Sequence, residues 1–112
     1  MPLAISLQCA LRSKTDSRCA IVIHAEDCNT GLTYILTAIG HQQKISALHI
    51  GSMTSAHEFA DLYELQWGED GISCQSLRNE LEQKIGAPLC RMLDGAIAKL
   101  IHSLPAIKTS KE

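Results

Sequence analysis

Aromatic residues are scarce in this 112-residue chain, and only 4% of its residues are Phe, Trp or Tyr. So small a supply cannot build a core around aromatic rings. We therefore expect an aliphatic interior, drawn from the 46% of residues that are hydrophobic. Three of the four aromatics, Phe59, Tyr63 and Trp67, occupy one nine-residue segment. The few aromatic residues are thus concentrated in one place, which makes this segment a candidate for function.

Long hydrophobic runs are missing as well. No stretch approaches the roughly 18 consecutive apolar residues of a membrane-spanning helix. The first residues, Met1 to Ile5, lack the positive charge that opens a secretory signal peptide, so we expect no export. A chain this apolar is not intrinsically disordered, and its length suits one domain. We therefore predict a single cytoplasmic domain that does not bind membranes.

The cysteines do not form the pattern of a disulfide framework. Their number is odd, and no two of them stand in a C-x-x-C arrangement. This pattern is typical of reduced thiols in a cytosolic protein, and isolated cysteines often fill small buried positions. The five are Cys9, Cys19, Cys28, Cys74 and Cys90.

Positive charge is absent from a long central stretch, because no Lys or Arg occurs between Lys44 and Arg78. Nucleic-acid binding normally needs clustered cations, and an acidic stretch would repel a phosphate backbone. We therefore expect no nucleic-acid partner. The acidic residues of the stretch are Glu58, Asp61, Glu64, Glu69 and Asp70.

The N-terminal half has the patterns of strands. Residues 3–11 alternate apolar and small or polar side chains, which is typical of a half-buried strand, and residues 19–23 are apolar on both faces. The polar residues 12–18 between them predict the loop of a hairpin. Residues 30–39 are ambiguous, since their residue types favour a strand and their spacing allows a helix; we favour the strand, because Gly31 sits awkwardly in a helix. Residues 44–50 predict a further strand.

The C-terminal half has the patterns of helices. Ser55 and Glu58 match a capping box, and Phe59, Tyr63 and Trp67 recur at helical spacing, which predicts a helix over 55–67. A second helix is expected over 73–85 and a third over 88–104, ended by Pro105. Gly95 inside the third predicts a break or a close packing contact.

Together these patterns predict an α+β domain over residues 1–107 with a flexible polar tail at 108–112. A small sheet of three to four mostly antiparallel strands in the N-terminal half is covered by two or three helices from the C-terminal half. A chain of this size is short for covering both faces of such a sheet. We therefore expect a homo- or hetero-oligomer.

Catalytic motifs are lacking. His24-Ala25-Glu26 contains the H-x-E element of zinc-dependent deaminases, but the P-C-x-x-C that supplies two more ligands is absent. A zinc site could combine His24, Cys28 and either His49 or His57, although no spacing demands it. Cys28 lies beside two acids, which oppose the lowered pKa of a nucleophilic thiol. There is no phosphate-binding loop and no G-x-S-x-G.

We therefore predict a non-enzymatic protein-interaction module, an adaptor, assembly chaperone or small subunit of a larger complex, with no cofactor and no metal. The alternative is a small metal- or thiol-dependent enzyme that uses His24, Glu26 and Cys28. The predicted contact surface is the aromatic and acidic segment, because Trp and Tyr are common at interface hot spots and an acidic rim selects a basic protein partner. Its residues are Glu58, Phe59, Asp61, Tyr63, Glu64 and Trp67.

Overall fold

The chain forms an antiparallel sheet followed by three helices in a computed structural model, which describes residues 3–12, 18–41, 44–68 and 70–109. The strands are β1 (Ala4–Arg12), β2 (Arg18–Asp27), β3 (Leu32–His41), β4 (Lys44–Met53), β5 (Phe59–Gln66) and β6 (Ile72–Ser73). The helices are α1 (Cys74–Ile85), α2 (Ala87–Met92) and α3 (Asp94–Thr109). The predicted α+β class is confirmed.

The sheet is a meander in which each strand from β1 to β5 pairs with the next, and the two-residue β6 pairs with the start of β4. The predicted strand over residues 30–39 is confirmed as β3, and the β1–β2 hairpin is antiparallel as expected. Most of the predicted loop 12–18 lies outside the described residues. The predicted count of three to four strands is too low, because a fifth long strand forms where a helix was expected.

That fifth strand corrects the helix predicted over 55–67. Asp61 is opposite Gly51 and Tyr63 is opposite Ile50, so Leu62 is an extra residue without a cross-strand neighbour. A β-bulge of this kind shifts the alternation of side chains by one position. Phe59 and Tyr63 therefore point to opposite faces of the sheet, although their spacing of four resembles one face of a helix.

The supposed capping box at Ser55 and Glu58 belongs to the loop between β4 and β5. The Glu58 N–H donates to the Thr54 hydroxyl at 3.1 Å, and the Thr54 N–H donates to the Glu58 carbonyl at 3.0 Å. His57 within this loop has a positive φ of 65°, which is uncommon outside glycine and typical of turns. The backbone at these residues reverses the chain, and so it does not begin a helix.

The helices cover one face of the sheet. Ile23, Leu36 and Ile50 are cross-strand neighbours at the centre of this face, and each is 0% exposed. Helix α3 packs over β1, β2 and β3, while α1 reaches β4 and buries Leu77 and Leu81. The expected aliphatic core therefore lies between the sheet and the helices.

The helix boundaries follow local signals with one correction. Ser73 caps α1 by accepting a hydrogen bond from the Ser76 N–H at 3.3 Å. The single helix predicted over 88–104 is two helices, since Leu93 ends α2 and α3 begins at Asp94. Gly95 makes the predicted close contact, because a Cβ there would lie 2.5 Å from the Ile5 Cδ1 atom of β1.

The end of the chain differs from the prediction at Pro105, since α3 continues past it to Thr109. The predicted tail of residues 108–112 overlaps the last turn of this helix, and 110–112 lie outside the described residues.

Arg78 of α1 forms an ion pair with Asp94 in the first turn of α3, where the helix dipole also stabilises a carboxylate. None of the described helices is long and apolar enough to cross a membrane.

Candidate protein-interaction surface

The face of the sheet opposite the helices, here called the open face, is not covered by any other described element. Directly opposed residues in neighbouring strands share a face. The row formed by Val22, Thr37, His49 and Glu64 therefore crosses the open face from β2 to β5, and each of these residues is half-buried or exposed. The uncovered face that the short chain predicts is thus present in the described structure.

An aromatic–acidic patch lies on the open face where β4 meets β5, and it consists of His49, Gly51, Phe59, Asp61 and Glu64. The Nε2 atom of His49 lies 2.9 Å from the Asp61 Oδ1 atom, within hydrogen-bond distance. The Phe59 ring stacks beside the His49 ring, with centroids 6.4 Å apart and an interplanar angle of 13°. Phe59 is nevertheless 56% exposed. The patch therefore presents to solvent an aromatic ring that is stacked on a neighbouring side chain.

Gly51 makes room for that ring. A Cβ built at Gly51 would lie 3.0 Å from the Phe59 Cζ atom and 3.3 Å from the His49 Cε1 atom. Both distances are shorter than ordinary van der Waals contact. A side chain at this position would push the two rings away from the sheet. Glycine thus lets Phe59 lie against the backbone of β4.

Charge is distributed unevenly over the open face. Asp61 and Glu64 lie on β5 and Glu26 lies on the same face of β2. Lys44 and Arg18 are at the opposite end of the sheet, where both strands pair with His41. The aromatic–acidic patch therefore lies away from these two cations of the sheet.

The structure brings together only some of the residues predicted for partner binding. Phe59, Asp61 and Glu64 share the open face, and Glu58 is exposed directly before β5. Tyr63 is opposite Ile50, on the face that packs against the helices. The predicted role of all six residues in partner binding stays a prediction, with the open-face members best placed for it.

Trp67 also lies on the helix side, and its surroundings explain its half-buried position. Its indole N–H donates to the Glu80 Oε2 atom of α1 at 3.2 Å, and its backbone N–H donates to the Ser46 carbonyl at 2.9 Å. The ring packs against the edge of the buried core. Trp67 therefore ties the end of β5 to α1.

Two residues of the patch were not predicted as part of a contact surface. The sequence predicts His49 only as a possible metal ligand, and it predicts no role for Gly51. Their roles depend on the pairing of β4 with β5, which brings residues from distant parts of the chain together. Gly51 and Phe59 are eight residues apart in the sequence, and no local pattern predicts their contact. The contact follows only from the register in which β4 pairs with β5.

The residues of the alternative metal or thiol site are only partly gathered. His24 and Glu26 share the open face of β2, whereas Cys28 is exposed in the turn that follows. His49 contacts Asp61, and His57 lies in the loop between β4 and β5. Within the described ranges, no three His, Cys, Asp or Glu side chains are close enough to hold a metal ion.

The thiols differ in exposure, and this difference predicts their reactivity. Cys19, Cys74 and Cys90 are buried, and Cys28 is exposed. Burial raises the pKa of the Cys74 thiol, so less of the reactive thiolate forms at a given pH. We expect Cys28 to react with a thiol reagent much faster than these three in the folded protein.

Mass spectrometry after brief alkylation measures this order of reactivity. Cys28→Ser is the control variant, and it should lose one fast-reacting site while the labelling of the other cysteines is unchanged. Rapid labelling of Cys74 or Cys90 in the folded chain would contradict the buried positions that the structure assigns to them.

Comparisons with known proteins identify no relatives. No family model matches the chain, and searches of curated proteins and of solved structures found no significant match. The function is therefore inferred from the geometry of the open face.

Proposed function

We propose that the chain is a non-enzymatic protein-interaction module that acts in the cytoplasm as an adaptor, assembly chaperone or small subunit of a larger complex. It works by docking a protein partner that has a basic contact surface, or by dimerisation. The observation that supports this proposal best is Phe59, a large apolar side chain that is 56% exposed and held against His49 beside Asp61.

An exposed, ordered aromatic ring favours binding energetically. Apolar surface gains about 25 cal/mol for each Å² removed from water, and the ring of Phe59 has already lost part of its freedom against His49 and Gly51. Leu62, the bulge residue of the same strand, is a second large apolar side chain that is 40% exposed. A small apolar centre with a polar rim is typical of interface hot spots.

The charge of the rim selects the partner. Glu58, Asp61 and Glu64 are exposed around or beside Phe59, and the chain has no Lys or Arg between Lys44 and Arg78. Complementary charge speeds association and disfavours acidic competitors, and salt screens it. A basic protein surface is therefore the partner we expect, with binding that weakens as ionic strength rises.

Affinity purification from the native host, followed by mass spectrometry, tests this function. The wild-type chain, Phe59→Ala and Met92→Ala serve as parallel baits. Met92 is 42% exposed on α2, so it is a matched large apolar residue outside the patch. We expect one protein with a basic surface to be retained by the wild-type and Met92→Ala baits, to be lost from the Phe59→Ala bait, and to be released by salt.

Two results would contradict the proposal. One is the capture of no stoichiometric partner by a wild-type chain that is also a monomer in solution. The other is a captured partner that Phe59→Ala and Met92→Ala retain equally well. Melting temperatures of all three baits are measured alongside, so that loss of the partner is not confused with loss of the fold.

A further inference from the structure

The outer edge of β5 has the features of a binding site for another strand. We propose that this edge binds an extended segment of the partner by strand addition, and that the segment alternates cationic and apolar residues. This inference rests on the proposed function and gives the form of the partner at the same surface. Strand addition obtains affinity from main-chain hydrogen bonds and specificity from alternate side chains.

β5 is an edge strand, with a neighbouring strand on one side and none on the other among the described residues. Among the described residues it pairs with β4 alone, so the alternate N–H and C=O groups that point away from β4 are outside the ladder. All eight residues of β5 are exposed or half-buried. Helix α3 packs over the other edge strand, β1, whereas β5 lies outside the main helix packing.

Edge strands usually carry features that prevent pairing with other chains, and β5 has few of them. Lysine and proline are the common protective residues, and Phe59–Gln66 contains neither. The protective features present are the bulge at Leu62 and the two acidic residues, Asp61 and Glu64. The charges of this edge are all negative, which permits pairing with a cationic strand and opposes pairing with an acidic one.

The side chains of β5 specify the pattern of the added strand. Asp61 and Glu64 lie on the open face, because the bulge at Leu62 removes one step of the alternation between them. Tyr63 and Leu65 lie on the helix side and are half-buried. A segment beside β5 would therefore place Lys or Arg opposite the carboxylates and apolar residues next to Tyr63 and Leu65.

A second copy of this chain is a poor occupant of the same edge. If two β5 strands paired antiparallel about their centre, Asp61 of each copy would stand opposite Glu64 of the other. Like charges directly opposed across strands are destabilising. The acidic residues thus select against self-pairing and leave the edge available for a basic segment of another protein.

Charge variants of β5 test the edge without knowledge of the natural partner. In Glu64→Lys, pairing of two copies places Asp61 opposite Lys twice, so this variant should self-associate through β5. The reciprocal variant Asp61→Lys should do the same. We expect each to self-associate about ten- to hundredfold more tightly than the wild type, since two repulsive pairs become attractive. Analytical ultracentrifugation measures the association constants.

The double variant Asp61→Lys/Glu64→Lys completes the test. Alone it should not gain self-association, because lysines oppose each other, but mixed with the wild type it should form a one-to-one complex. The matched control is Glu82→Lys, the same charge change at an exposed position of α1, which should behave like the wild type. Amide hydrogen exchange should slow on β5 in each complex, and circular dichroism checks that every variant is folded.

The inference is overturned if neither single variant associates more than the wild type and the mixture forms no complex. It is also overturned if Glu82→Lys associates equally well, or if exchange slows away from β5. These outcomes leave the proposed function intact, because that function is tested by partner capture. A partner that is lost from the Phe59→Ala bait, but whose binding does not depend on the β5 edge, would contact the open face alone.

Discussion

Replacement of Leu36 by alanine is expected to lower the free energy of unfolding by about 2–5 kcal/mol, the usual cost of a cavity in a packed core. Leu36 is on the central strand β3, is 0% exposed, and lies between Ile23 and Ile50 beneath the helices. Its neighbours belong to different strands, so they cannot close the cavity without disturbing the sheet. Urea unfolding followed by circular dichroism gives the change directly.

The matched control for Leu36→Ala is Ile39→Ala on the same strand. Ile39 is on the open face and is 39% exposed, so its truncation should cost less than about 1 kcal/mol, as for a partly exposed residue away from the core. The pair of variants thus measures which face of the sheet is the core. A similar loss of stability in both variants would contradict a sheet with one covered and one open face.

Replacement of Trp67 by alanine is expected to lower the free energy of unfolding by roughly 2–3 kcal/mol, somewhat less than for a fully buried aromatic residue. The variant loses the packing of the indole against the core and the hydrogen bond to Glu80. Phe59→Ala removes a ring that is 56% exposed, and it should cost less than about 1 kcal/mol. Thermal and urea unfolding of the two variants compare the contributions of these aromatics to the fold.

The comparison separates two roles within one aromatic segment. A Trp67→Ala variant as stable as the wild type would contradict its position between β5 and α1. A Phe59→Ala variant as unstable as Trp67→Ala would show that Phe59 contributes mainly to folding, and it would remove the basis for a contact surface at this residue.

Local patterns in the sequence identify most of the fold. The alternation in residues 3–11 and the apolar run at 19–23 predict strands that the structure contains as β1 and β2. The spacing of Cys74, Leu77, Leu81 and Ile85 predicts α1, and all four are buried. These patterns can be recognised in one sequence because each depends only on residues within the same strand or the same helix.

The error at residues 55–67 has a specific physical cause. A spacing of four fits one face of a helix and, being even, one face of a strand, so Phe59, Tyr63 and Trp67 did not distinguish the two. The bulge at Leu62 then places Phe59 and Tyr63 on opposite faces of the sheet. Within the second half of the segment, Tyr63, Leu65 and Trp67 do alternate as a strand requires. The competing signal was therefore present, but a bulge is set by pairing with β4 and not by local propensity.

The composition of the aromatic–acidic patch could be predicted from the sequence, but its geometry could not. The missing cations and the clustered carboxylates pointed to Asp61 and Glu64, and the aromatic cluster pointed to Phe59. The division of that cluster between the open face and the helix side follows from the register of β5 on β4. The support of Phe59 by His49 and Gly51 follows from the same long-range pairing.

We propose above all that Phe59 and the acidic residues beside it form a docking surface for a basic protein partner. Calorimetric titration of the captured partner into the wild type, Phe59→Ala and Met92→Ala tests it most directly. A hot-spot role predicts that Phe59→Ala weakens binding roughly tenfold or more, while Met92→Ala binds like the wild type and both variants keep their melting temperatures. Equal affinity of the Phe59→Ala and Met92→Ala variants for the partner would contradict the claim.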